Sequence, residues 1–187
     1  MKLILGIDQS FTSTGVCFMD ESENIVHHET ICSTDEDGDI HDRALKIIER
    51  LDDLVMMYRP VRIGLEGLAF SKFGNATRDL AGLQMAMITH LRYRKPNQCK
   101  ELQVISPNLL KKYATSKGSA DKNLMYDALP ESAKAVYSAY KKTKGRSDVV
   151  DAYWLAKYTL EQYRQYQTRL DNLSLPSDTP QTISDAA

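Results

Sequence analysis

At 187 residues, 42% hydrophobic and 26% charged, the chain has the size and composition of one globular domain with a substantial core. No apolar stretch approaches the ~20 residues a bilayer-spanning helix needs, which excludes such an anchor; the expectation is a cytoplasmic protein with no signal peptide and no membrane partner. A net charge of −1 does not by itself point to nucleic acid, but the charges are segregated along the chain.

Residues 20–53 hold twelve acidic side chains against Arg43, Lys46 and Arg50, whereas residues 88–146 hold thirteen Lys/Arg against Glu101, Asp121, Asp127 and Glu131. If the second segment folds together, it makes a basic, anion-binding face; the plainer alternative is two solvated faces of opposite sign. Cys17, Cys32 and Cys99 are odd in number and lack Cys-x-x-Cys spacing. They read as reduced, mostly buried thiols, not a disulfide frame or a zinc site.

In chain order, residues 2–8 predict a buried strand, 15–20 its return strand and 25–32 a third, an antiparallel meander. Ser10, Thr12, Ser13 and Thr14 are expected to stabilise the first turn. Beyond an acidic loop, Ala44, Ile47, Ile48, Leu51 and Leu54/Val55 recur with helical spacing, and Arg59-Pro60 ends that helix. Residues 61–66 form a short apolar strand, and 67–74 a Gly/Ser/Phe loop. Asn75 or Thr77 is expected to cap a long helix to about residue 93. Residues 102–105 predict a fifth strand, and Pro107 suits the first turn of a helix over 108–115. Short helices are expected in the basic stretch 116–145, then a closing helix over 147–166. The chain thus divides into a domain at 1–167 and a polar, Pro/Ser/Thr-rich tail at 168–187 expected to be disordered. Strands alternating with helices in this order give an α/β domain with a mixed sheet.

Carboxylates end two of the apolar strands, Asp8 the first and Glu66 the fourth, where desolvating a charge is costly. Asp148 and Asp151, three apart, share one face at the start of the closing helix. Acids in a first turn complement the helix dipole, which accounts for Asp148 but less well for Asp151, set among Val149, Val150, Ala152 and Tyr153. If strands one and four are neighbours, the helix could bring its first turn near both. Four carboxylates in one crevice cannot all stay ionised without cations, and oxygen-only ligands suit Mg²⁺ or Mn²⁺. Two such ions would make a phosphodiester-cleaving site.

The segments "GIDQSFTSTG", "IGLEGLAF", "SPNLLKKYATSKGSADK" and "SDVVDAYWLA", in this order, resemble the motifs of the RuvC-type Holliday-junction resolvases. The resemblance covers roughly residues 2–163. It implies a ribonuclease-H-like fold with a mixed five-stranded sheet, three antiparallel strands followed by parallel ones, flanked by helices. It also implies a crossover junction endonuclease acting on branched double-stranded DNA in recombination or repair. By the same resemblance Asp8, Glu66, Asp148 and Asp151 would be catalytic and would bind two Mg²⁺ ions, with Mn²⁺ able to substitute. Lys111 and Lys122 would contact phosphates, and Phe70 or Phe73, in the loop that also carries Lys72, would meet the opened junction. Lys112 and Lys117 extend the basic set, for which a solvated face is the plain alternative. The family dimerises through the helix that here carries Leu80, Leu83 and Met87, which makes these the expected homodimer interface. Gln9 departs from the family's usual proline. Two other functions compete: a non-catalytic module that only binds branched DNA, and an actin-like or sugar-kinase-type ATPase domain. The latter needs a second phosphate loop and about twice this length, and neither is found.

Overall fold

The structure is a computed structural model that describes residues 1–68, 74–94, 102–140 and 145–174. Its strands are β1 (Leu3–Asp8), β2 (Ser13–Asp20), β3 (Ile25–Cys32), β4 (Arg62–Glu66) and β5 (Leu102–Ile105). They form one mixed sheet in the order β3-β2-β1-β4-β5, antiparallel through β3, β2 and β1 and parallel through β1, β4 and β5. Strands one and four are neighbours, as the sequence predicts. A register shift between Phe18 and Met19 marks an irregularity where β2 meets β3.

The helices are α1 (Ile40–Tyr58), α2 (Asn75–Arg94), α3 (Pro107–Thr115), α4 (Lys122–Asp127), α5 (Glu131–Tyr137) and α6 (Arg146–Ser174). Side chains alternate across a strand, so each face of the sheet has its own core. Leu5, Ile7, Val16, Phe18, Ile63 and Leu65 face α1 and α2. Ile4, Cys17 and Met19 face α6, which adds Val149, Tyr153, Trp154 and Leu155 and collects α3, α4 and α5 around itself.

Three differences from the sequence reading have local causes. β2 begins at Ser13, two residues early, because Thr14 closes the turn tightly: its hydroxyl donates to the Ser10 carbonyl at 2.6 Å and accepts the Ser10 amide at 3.1 Å. α2 already counts Asn75 as its first residue, so Gly74 holds the position before it and its carbonyl accepts the Thr77 and Arg78 amides. α6 runs to Ser174, past the domain boundary placed at 167, and the remaining tail lies outside the described residues. No Pro or Gly interrupts residues 168–174, and the Thr168 hydroxyl donates back to the Arg164 carbonyl at 3.0 Å. Arg62 stacks on Tyr163 and Tyr166, and Arg164 reaches Glu23 and the Glu21 carbonyl at 2.9 and 2.6 Å.

The expected interface on α2 is corrected. Leu83 and Met87 are 2% and 0% exposed in the single chain, packed in the α1/α2 core, with the half-buried Leu80 against them. That apolar stripe is already covered by the chain's own sheet. The thiols also differ from expectation: Cys17 is buried, with its pKa pushed up to about 12 by burial, but Cys32 is exposed and Cys99 lies outside the described residues. Among the described residues no helix is long and apolar enough to cross a membrane.

Candidate active site

Alternation along the strands sets the site. Ile4, Gly6 and Asp8 point to the α6 side of β1, and Gly64 and Glu66 to the same side of β4. The parallel register pairs Gly6 with Gly64 and Ile7 with Leu65, which continues to Asp8 beside Glu66. Asp8 itself lies opposite Gly15 of β2.

Glycine lets the helix arrive. A Cβ on Gly15 would sit 2.2 Å from the Asp148 carbonyl oxygen, and one on Gly6 would sit 2.0 Å from that of Ala152. The backbone of α6 therefore rests on the backbone of β1 and β2, and its first turn comes down over Asp8. Asp148 and Asp151 are half-buried there.

Burial first, then the charges of Glu66, Asp151 and Asp148, hold the Asp8 carboxyl well above the usual carboxylate range. Burial pushes Asp151 up to about 7; Glu66 and Asp148 push the same way, while Lys122 and Lys111 pull it down. These two lysines line a crevice of about 400 Å³ with Gln9, Glu66 and Asp151.

Packing explains their position. Ser106 caps α3, where Pro107 opens the helix; Asp121 caps α4, its carboxylate accepting the Leu124 amide at 2.8 Å. Both helices are tied to α6, α3 by the Tyr113 hydroxyl to Glu161 at 2.5 Å and α4 by Trp154 Nε1 to the Met125 carbonyl at 3.0 Å. Lys112 and Lys117 are exposed and do not line the crevice. Phe70, Lys72 and Phe73 lie outside the described residues.

Three polar residues join the site that the sequence reading left out. Ser13, expected to serve its own turn, donates to Asp148 Oδ2. Ser147 donates to the other oxygen at 2.9 Å and receives the Lys122 ammonium at 3.0 Å. Gln9, where the resemblance expects proline, donates to the Glu66 carbonyl at 3.3 Å and so bridges the ends of β1 and β4. No spacing rule flags Ser13 or Gln9, because their partners are 135 and 57 residues away.

Among the described residues no three acidic, His or Cys side chains already stand as a closed set of metal ligands. The donor chemistry nonetheless fits a hard divalent cation: oxygen only, with like charges crowded together. A cation would relieve the same repulsion.

No protein-family model and no curated sequence matches the chain. Solved structures do. Thermus thermophilus RuvC matches with a TM-score of 0.65 at 14% identity, over 89% of this chain and 96% of that one. The same protein in complex with a Holliday junction substrate matches at 0.66 and 15%, over 90% and 97%. The yeast mitochondrial Holliday junction resolvase Ydc2 matches at 0.60 and 15%, over 90% and 84%. With its sheet order and flanking helices, the chain has the ribonuclease-H-like fold of the RuvC-type resolvases.

Proposed function

We propose that this chain is a metal-dependent endonuclease that nicks branched DNA and, as a homodimer, resolves four-way junctions in recombination or repair. The observation that carries the reading is Asp8 beside Glu66 at the ends of β1 and β4, with the first turn of α6 and its Asp148 and Asp151 resting on the sheet at Gly15 and Lys111 and Lys122 in the crevice with Glu66 and Asp151. The solved neighbours include a resolvase bound to a Holliday junction, which supports DNA as the substrate.

In this reading Asp8, Glu66, Asp148 and Asp151 would hold two Mg²⁺ ions, or Mn²⁺ in their place, which would supply activation of water and stabilisation of the leaving oxygen. Lys111 and Lys122 attract the phosphate and orient it over the carboxylates. Ser13 and Ser147 fix both oxygens of Asp148, so that carboxylate does not have to reorganise as charge shifts. The water oxygen bonds to phosphorus, the P–O3′ bond breaks, and the products are a 5′-phosphate and a 3′-hydroxyl. One such site makes one nick. Two symmetric nicks in a four-way junction call for two chains related by a two-fold axis.

The test is nicking of a fixed four-way junction and of linear duplex, with and without EDTA. Junction-selective cutting should disappear in EDTA and in Asp151→Asn, while Asp151→Asn still binds the junction. Cutting that survives either change overturns the metal assignment. Sedimentation of the chain with and without a junction tests the pair, and a strict monomer in both states argues for single nicking of flaps or forks.

A further inference from the structure

A larger pocket adjoins the carboxylates, and only its rim at Ser13, Lys122, Ser147 and Asp148 enters the site described above. It measures about 660 Å³ and lies between the β1–β2 turn (Thr12, Ser13), the end of β3 (Thr30, Cys32) and the start of α6 (Ser147, Asp148). Lys122 lines both this pocket and the acidic crevice. The two are halves of one groove that divides at Lys122, with Asp148 on one side and Glu66 and Asp151 on the other. A strand whose phosphate sits at the carboxylates must send a neighbouring nucleoside each way.

The walls say what fits. Among the described residues that line it, two cations, Arg43 and Lys122, face two carboxylates, Asp35 and Asp148, so these four side chains give no net pull on a phosphate. Arg43 is already committed: it donates to Asp35 at 2.7 Å, to the Ser33 hydroxyl at 3.2 Å and to the Phe11 carbonyl at 3.3 Å. The other described residues of the wall are neutral and rich in hydroxyls, from Thr12, Thr30 and Thr34, with the Cys32 thiol and the Tyr140 ring. Such a wall suits a heterocycle, whose ring needs contact area and whose edge needs a few donors and acceptors. Turning a base out of its stack costs least where it is already unpaired, as at a branch point.

We propose that this pocket receives the unpaired nucleobase next to the phosphate held at the carboxylates. The inference rests on the branched-DNA reading above and adds a base-binding subsite to it. Its test does not depend on cutting. Junctions are made with one base at a time carrying a thiol tether as its mixed disulfide with cysteamine. The Cys32 thiolate attacks the tether sulfur, one S–S bond forms as one breaks, and cysteamine leaves, so no oxidant is needed. The chain used carries Cys99→Ser, and Cys17 is buried and stays silent. Trapping should be confined to one nucleotide beside the crossover and vanish in Cys32→Ser. Trapping at many positions, or at none with the junction bound, overturns the pocket.

A second arm uses the exposed position itself. Cys32→Trp should fill the pocket and weaken junction cutting and binding about tenfold, the loss expected for one base contact. An abasic nucleotide at the trapped position should weaken the wild type to the same degree and Cys32→Trp no further. Unchanged cutting and binding in Cys32→Trp counts against the proposal. A chain that traps one position but cuts no junction keeps the pocket and loses the nuclease reading. A chain that cuts but traps nothing does the reverse.

Discussion

The two faces of the sheet are built in different ways. On one, α1 and α2 bury Leu, Ile, Val and Met side chains against Leu5, Ile7, Phe18 and Leu65. On the other, α6 sets backbone on backbone through Gly6 and Gly15, and aromatic residues fill the flanks. The first face tolerates small shifts of its helices because side chains lie between them and the sheet. The second does not, and all four carboxylates belong to it. Position matters more than bulk where charged groups must meet, so the close contact lies under the chemistry and the ordinary packing lies opposite.

The largest contrast comes from a charge on the oily face. Leu83→Glu should unfold the chain, since an unpaired buried carboxylate costs several kcal/mol; circular dichroism and sedimentation read it out. A folded monomer instead would return Leu83 to a partner-facing role. Truncations then separate the faces. Met87→Ala should cost about 2–5 kcal/mol of stability yet leave cutting intact well below its melting temperature. Gly6→Ala should cost about 1–3 kcal/mol by overpacking, but depress cutting far more than its stability explains, because it lifts α6 from Asp8. Equal losses of cutting in the two variants would erase the distinction.

Acidity gives a smaller effect of known sign. Asp151 rises from 3.8 to about 7 on folding, so between those values the folded chain binds more protons than the unfolded one. Its contribution to stability is present below pH 4 and is lost as pH rises through 7. The melting temperature of the metal-free protein should fall across that window, less steeply in Asp151→Asn. The smallest effect belongs to single lysines. Lys111→Ala and Lys122→Ala should each flatten the dependence of log K on log salt by about 0.9, whereas Lys112→Ala should leave the slope unchanged.

Much of the sheet was legible because apolar runs and their polar breaks mark strands directly. Asp8 and Glu66 stood out for the same reason, each a charge at the end of such a run. Partners distant in sequence were not legible. Ser13 lies among four hydroxyl residues that all look like turn formers, yet only three serve the turn. Leu83 and Met87 were misread because an apolar stripe at helical spacing is the same whether it meets a sheet or a second copy. The glycines were visible as letters, but their role depends on which helix lies above them.

The margins of the sheet have a consequence for the proposed dimer. An open edge strand invites aggregation, and long, flat edges are the dangerous ones. β5 is only four residues long. On the other margin, β3 is irregular in register, Arg50 of α1 grips Glu29 at 2.7 and 2.8 Å, and His27 stacks on Tyr58 at 4.9 Å. Both features blunt the margins as templates for another strand. In the proposed dimer on one DNA molecule, two chains would then meet through helices or loops and leave each sheet closed to its neighbour.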